Sequence, residues 1–345
     1  MFKYLAGLMA LLSSATISAQ CIDSVNSFEF GLGWRRDSID WKLKDVSSSY
    51  FDADANSHIR FSELNYYMVQ FKGRSVGESY YLRYSADYGL SDKGKAKEHF
   101  GFYAPDFNIY DLEVRTDDRV KRKSEVYDYD VALGYPFTLC HCKLVITPLI
   151  GFSYHRIHLR SKIHHTSSSS SSSSSSDYYY GNDYNDSSSH SGSFYPDSSN
   201  PFDFPSSYDP FQHSSSDPMI ASALGLSTEK RTSMYRFTYY GPYVGVDIGY
   251  AIDSYWTIFG ETECHFLDNC HRKRHSVTGI SFVDNYHHKG WAYGFSGTYG
   301  ANWDMGSNYY ASLSADFKWW KAHSGHHDEL HWQSVGVNLT LGYAY

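Results

Sequence analysis

Over the last eleven residues apolar side chains alternate with small or polar ones without a break. Val335, Val337, Leu339, Leu341, Tyr343 and Tyr345 fall on one face, and Gly336, Asn338, Thr340, Gly342 and Ala344 on the other. A strand with lipid outside and a lumen inside requires that pattern. It recurs at Tyr80, Leu82, Tyr84, Ala86, Tyr88 and Leu90, and again at Tyr127, Tyr129, Val131, Leu133 and Tyr135. Segments at 27–43, 58–73, 143–160, 234–252, 255–267, 291–303 and 309–320 complete a predicted set of ten strands. The first changes character near Arg35 and Arg36, which predicts a bulge or an exit from the membrane. Pro148 and Pro242 fall inside predicted strands, where a missing donor belongs at a bulge or rim.

The predicted connections run long, short, long, short: 44–57, 74–79, 91–124, 136–142, 161–233, 253–254, 268–290, 304–308 and 321–334. A soluble sandwich has no reason to keep one end bald and the other bushy, whereas an outer-membrane barrel has short periplasmic turns and long outer loops. The expectation is therefore an all-β, transmembrane antiparallel β-barrel of about ten strands in the bacterial outer membrane. Its partners would be outer-membrane lipids and the machinery that inserts barrels by reading the last strand, with Tyr343 and Tyr345 as the signal. The loop at 161–233 contains ten consecutive serines, Ser167 to Ser176, followed by a Ser/Tyr/Asp/Pro mixture. That composition has too little to bury to fold by itself, which makes the loop a surface-display candidate or a tolerated expansion.

Residues 1–19 carry Lys3, the apolar run Leu5 to Leu12 and a small-residue end at Ser18-Ala19, the anatomy of a cleavable export signal. Mean hydropathy is −0.50, and no apolar run beyond this leader is long enough for a helical span. Without Lys3, 29 basic residues face 38 acidic ones, a net charge of −9, which argues against nucleic acid as a partner. The five cysteines, Cys21, Cys140, Cys142, Cys264 and Cys270, are compatible with disulfides in an exported chain, within the 140/142 and 264/270 couples for example. Spacing alone does not assign them.

Taken literally, the alternation turns Glu29, Asp87, Asp128, Asp130, Asp247, Glu261, Glu263 and Asp316 inward, against Arg60, Lys72, Arg83 and Lys318. An acidic lumen concentrates cations, so ions or small solutes are the expected passengers of a narrow channel. The plainer alternative is that these charges pair across a small barrel and plug it, since about eight strands leave an interior that side chains fill. Histidines recur in predicted outer loops, and His323 with His326 or His327 is a weak metal-ligating candidate. No resident cofactor is expected.

The order of short turns and long loops, the stretch Tyr243-Val244-Gly245-Val246 to Tyr250, and Trp291 to Phe317 followed by Trp319-Trp320 resemble the ten-stranded omptin-type barrel. The Tyr-rich strands and Ser/His-rich loops look like the Protochlamydia outer membrane protein group, over Phe28 to Tyr345 apart from the Ser-rich loop. The omptin resemblance implies an endopeptidase in which a His oriented by a carboxylate faces a second acid pair and activates water. The motif Asp-x-His, however, falls on Lys273-Arg274-His275, so the resemblance also implies that the dyad is lost. Asp268 with His271, and Asp117-Asp118 opposite, are the stand-ins available for a rearranged site. The leading expectation is thus a surface barrel with a narrow, cation-leaning passage. The alternatives are a rearranged omptin-like protease and an adhesin acting through 161–233.

Overall fold

Segments that alternate with period two need neighbours on both sides to satisfy their backbone groups in lipid, and the arrangement that leaves no edge is a closed barrel. The computed structural model of the chain describes residues 25–43, 54–104, 109–120, 123–140, 143–170, 232–276, 287–324 and 328–345. It contains β1 (Val25–Leu43), β2 (Asp54–Val76), β3 (Tyr81–Ala104), β4 (Ile109–Val120), β5 (Glu125–Gly134) and β6 (Phe137–Leu139). Then follow β7 (Leu144–Ser170), β8 (Thr232–Ala251), β9 (Trp256–Ser276), β10 (His287–Gly306), β11 (Tyr309–Ser324) and β12 (Asp328–Ala344).

All pairings are antiparallel, and β1 against β12 closes the ring. Asn26 and Tyr345 exchange two backbone hydrogen bonds, 3.0 and 2.8 Å, at the seam. The twelve strands occupy ten positions: β5 and β4 lie one above the other between β3 and β7, and β6 is a three-residue addition to β7. The short turns gather at the end that carries the seam. Asp253 Oδ1 accepts from the backbone N–H of Tyr255 and Trp256, and Ser307 and Asn308 both take positive φ, 55° and 69°, as a two-residue hairpin demands. Pro242 sits where the β8–β9 register slips, and Pro148 lies opposite the gap between β5 and β6, so neither removes a needed ladder bond.

The strands outrun the predicted ones at the other end, and β1 explains why. Its odd-numbered residues face inward from end to end. Up to Trp34 the outward positions are apolar, Phe28, Phe30, Leu32 and Trp34, over an inward Glu29, Gly31 and Gly33. Beyond Arg35 the chemistry inverts: Arg36, Ser38, Asp40 and Lys42 point out, while Ile39, Trp41 and Leu43 are buried. Residues 35–36 are therefore the exit from the membrane, and the register slip beside them belongs to β2, at Ser62–Glu63, with Glu63 at φ 54°.

A strand needs about 9–11 residues to cross a bilayer, and β12 has 17 while β7 has 27. The surplus forms a second storey of water-facing barrel with an apolar interior. This corrects all five long predicted loops. β2 already begins at Asp54 within 44–57; the segment at 91–124 holds the upper part of β3 and all of β4; 161–170 and 232–233, 268–276 and 287–290, and 321–324 and 328–334 are strand continuations. The predicted leader at 1–19 and the serine-rich stretch from 171 to 231 lie outside the described residues.

Candidate functional site

In the lower storey the inward charges are matched across the lumen. Arg83 donates to Asp247 at 2.8 Å, to the Tyr243 hydroxyl at 3.0 Å, to Asp130 at 3.3 Å and to Glu263. Arg74 pairs with Glu261, and the Tyr81 hydroxyl donates to Asp247 at 2.6 Å. Glu29 accepts from Thr340 and Tyr310 at 3.1 and 3.0 Å. Towards the seam the lumen widens into a vestibule of about 520 Å³ lined by Ser27, Asn302, Asp304 and Asn308 among others.

Above this layer Asp128 acts as a hub. Arg35 donates to it at 2.6 Å, Lys318 at 2.5 Å, and His155 Nδ1 lies 3.0 Å away. Arg35 is also held by Asp37 through two bonds of 2.7 and 2.8 Å, and its guanidinium lies over the Trp332 ring at 5.3 Å. The space left between hub and lower layer is a cavity of about 60 Å³, bordered by Gln70, Asp87, Asp130 and Asp316 as well as the paired groups. That holds a few waters or a small ion.

Over the hub stands an aromatic plug. Trp320 and Trp332 are stacked with centroids 4.9 Å apart, and His155 and His265 each meet Trp320 at 4.8 Å. Tyr239 stacks on Trp332 at 5.3 Å, and Trp41, Phe237, Phe61 and Tyr235 continue the column upward. Trp41, Trp320 and Trp332 are each 0% exposed. Trp320 lies across β10 because residue 294 is glycine: a Cβ there would stand 2.7 Å from the indole. Its Nε1 donates to the buried Asp268 at 2.9 Å.

The lumen charges predicted from alternation, Glu29, Asp87, Asp128, Asp130, Asp247, Glu261, Glu263, Asp316, Arg83 and Lys318, all face the interior. Arg60 does not. The extra residue at Ser62–Glu63 reverses the phase of β2, so Arg60 points outward and bonds Asp40 at 3.0 Å.

A bulge at Phe266–Leu267, both exposed, does the same in β9. Asp268 therefore faces in, 3.5 Å from His265, while His271 faces out to the Tyr240 hydroxyl at 3.3 Å. The two cannot form a dyad, and the carboxylate's imidazole neighbour is His265, buried behind the plug. Lys273 is exposed; the side chains of His275, Asp117 and Asp118 lie outside the described residues. His323 is exposed against Tyr293 at 6.4 Å, and His326 and His327 lie outside the described residues. Among the described residues no cluster of His, Cys, Asp or Glu is close enough to hold a metal.

Cys264 and Cys270 cannot pair. They sit on one strand on opposite faces, six residues apart or roughly 20 Å along β9, beyond a disulfide's reach of about 7 Å. Burial in the upper core pushes the Cys270 thiol up to about 12. A protonated, inaccessible thiol is a poor nucleophile. In the folded barrel at pH 8, maleimide is expected to spare Cys270, and unfolding is expected to expose it; peptide mass mapping before and after denaturation checks this.

The residues that sequence reasoning missed are Arg35, Asp37, His155, Trp320 and Trp332. Arg35 and Asp37 keep the parity of Glu29, so following one parity through the change of character would have found them.

The sequence profile of the Protochlamydia outer membrane protein family matches residues 29–345. The chain belongs to that family. No curated protein sequence matches it. In structure, this member of the Protochlamydia outer membrane protein family superposes on the outer membrane protease OmpT from Escherichia coli with a TM-score of 0.57. The two are 8% identical over 96% of this chain and 99% of that one, a likeness of fold alone. Ail, the attachment invasion locus protein of Yersinia pestis, aligns over 94% of this chain and 100% of its own at 8% identity, with a TM-score of only 0.27. The family member is thus an outer-membrane β-barrel of omptin-like architecture.

Proposed function

We propose that this barrel is a surface protein of the outer membrane that offers small cations a narrow passage, held shut at its outer side by the aromatic plug. The observation that carries the reading is the charge of the lumen. Six carboxylates and five guanidinium or ammonium groups line the central cavity, and the adjoining Glu29, Asp37 and Asp247 raise the acids to nine against five. Such a lining, with low-dielectric walls around it, favours cations over anions. The vestibule at the short-turn end, periplasmic in barrels of this kind, gives ions a way in from one side. Peptide hydrolysis draws no comparable support, because Asp268 and His271 stand on opposite faces of the wall.

Conductance of the refolded mature protein in a planar bilayer, under a salt gradient, tests the reading. Small, infrequent, cation-selective steps are expected. Glu261→Gln with Glu263→Gln leaves Arg74 and Arg83 without these two counter-charges and is expected to move the reversal potential toward the anion value. Permanent silence from protein that is demonstrably folded would sink the passage.

Outer-membrane lipids are the solvent proposed for the outward belt of Phe30, Leu32, Ile150, Leu339 and Leu341, and the insertion machinery is the proposed reader of β12. Tyr343 packs against Phe28 and Tyr309 at 5.9 and 5.0 Å, and Tyr345 bonds Asn26 at the seam. Deleting Tyr343 to Tyr345 is expected to leave the chain in the periplasm. Cell fractionation checks it, and normal membrane levels of the truncated chain would count against this role.

A further inference from the structure

Strand register sets Gln70, Asp87 and Asp128 side by side on β2, β3 and β5, each facing the lumen. Cross-strand neighbours lie close enough for like charges to repel, and here two carboxylates are directly opposed. Asp128 is neutralised by Arg35 and Lys318. Asp87 is not: its Oδ1 is buried without a hydrogen-bond partner. Beside it the Gln70 side chain, only 5% exposed and lining the same cavity, also leaves its Oε1 without a donor. On the next rung Asp130 Oδ2 is a third buried acceptor in that state. A buried oxygen without a donor costs free energy, and three around one small cavity, against the single unpartnered guanidinium donor Arg74 Nε, favour an occupant that offers them positive charge.

We propose that this cavity is a binding site for one partly hydrated alkali cation, held by Gln70 Oε1, Asp87 and Asp130. The proposal deepens the passage reading and rests on it for the ion's access. An amide oxygen and carboxylate oxygens are hard donors that suit alkali and alkaline-earth ions. Six carboxylates against five guanidinium or ammonium groups leave the cavity lining one negative charge in excess, which a single monovalent ion balances. The cavity of about 60 Å³ takes such an ion with a few waters. The other charges facing it are Asp316, Lys318, already committed to Asp128, and Lys72, which lines the cavity and is the internal competitor for Asp87.

The test uses the full mature chain refolded in detergent. Its thermal midpoint is measured with rubidium chloride against N-methylglucamine chloride at fixed ionic strength, and crystals soaked in thallium(I) locate the ion by anomalous scattering. The midpoint is expected to rise with rubidium alone, and thallium to appear between Gln70 and Asp87. Asp87→Asn removes a carboxylate that no close ion pair holds and is expected to fold, with apparent rubidium affinity about tenfold weaker. Gln70→Leu loses the response as well. Equal midpoints in the two salts, an unchanged response in Asp87→Asn, or a response that appears only in Lys72→Met would each overturn the site. A silent bilayer with the rubidium response intact removes the passage and leaves the site. Conduction without that response does the reverse.

Discussion

A Trp320→Ala barrel opens about tenfold more often in a planar bilayer than the unaltered chain, and melts earlier. Trp320 sits at the centre of the plug's contacts: Trp332 stacked beside it, His155 and His265 against its ring, and Asp268 on its indole N–H. Removing a buried Trp side chain costs about 3–5 kcal/mol through lost contacts and the cavity left behind. Asp268 additionally loses a donor, worth about 1–3 kcal/mol for a buried acceptor. The hole is bounded on one side by imidazoles and a carboxylate, so water enters it, as it does any roomy polar cavity. Water there links the hub to the upper core and weakens the barrier that keeps the passage shut. If even about 1.4 kcal/mol of the lost packing energy falls on the opening barrier, the opening rate rises tenfold. Trp320→Phe keeps a ring but not the N–H and is expected to fall between the two. A folded Trp320→Ala barrel with unaltered openings would show that the plug does not control conduction.

What the sequence made legible was the part of the wall that lies in lipid. Outward apolar residues such as Val335, Leu339 and Leu341 alternate with a polar lumen face, and the ten ring positions follow from counting such runs. The upper storey was illegible for the same reason. Past Arg35 the apolar residues move to the inside and the outside turns charged, so Ile39, Trp41 and Leu43 read as the fading of a membrane strand rather than the start of a water-facing one. Two bulges hid the site. One extra residue near Glu63 turns Arg60 out of the lumen, and another at Phe266–Leu267 sends Asp268 in and His271 out. No spacing rule reveals a bulge of this kind, because two consecutive exposed apolar residues in β9 do not mark where the alternation skips. Trp319-Trp320 stood out in the chain, yet only the register with Gly294 and Trp332 shows that the second of the pair belongs to the interior aromatic column.

Neutralising the hub is the other large effect. Asp128→Asn leaves Arg35, buried, and Lys318, half-buried, pointing at an amide that cannot balance them, with His155 beside them. Breaking a buried ion pair by removing one partner costs about 3–5 kcal/mol, because the remaining charge is left desolvated. Here two cations converge on a single carboxylate, so the cost belongs at the upper end. Asp37 retains Arg35 through two hydrogen bonds, which makes Lys318 the group left stranded. The double variant Asp128→Asn with Lys318→Met is therefore expected to recover a large part of the loss, whereas Asp128→Asn with Arg36→Met, altering an exposed outward arginine, recovers none. The shift in unfolding temperature of the barrel in detergent reads both, and the difference between the double and single variants gives the coupling. Equal losses with and without Lys318 would mean that Asp128 acts through packing or through His155, and the hub would then be a structural polar contact rather than the electrostatic keystone between the lumen and the plug.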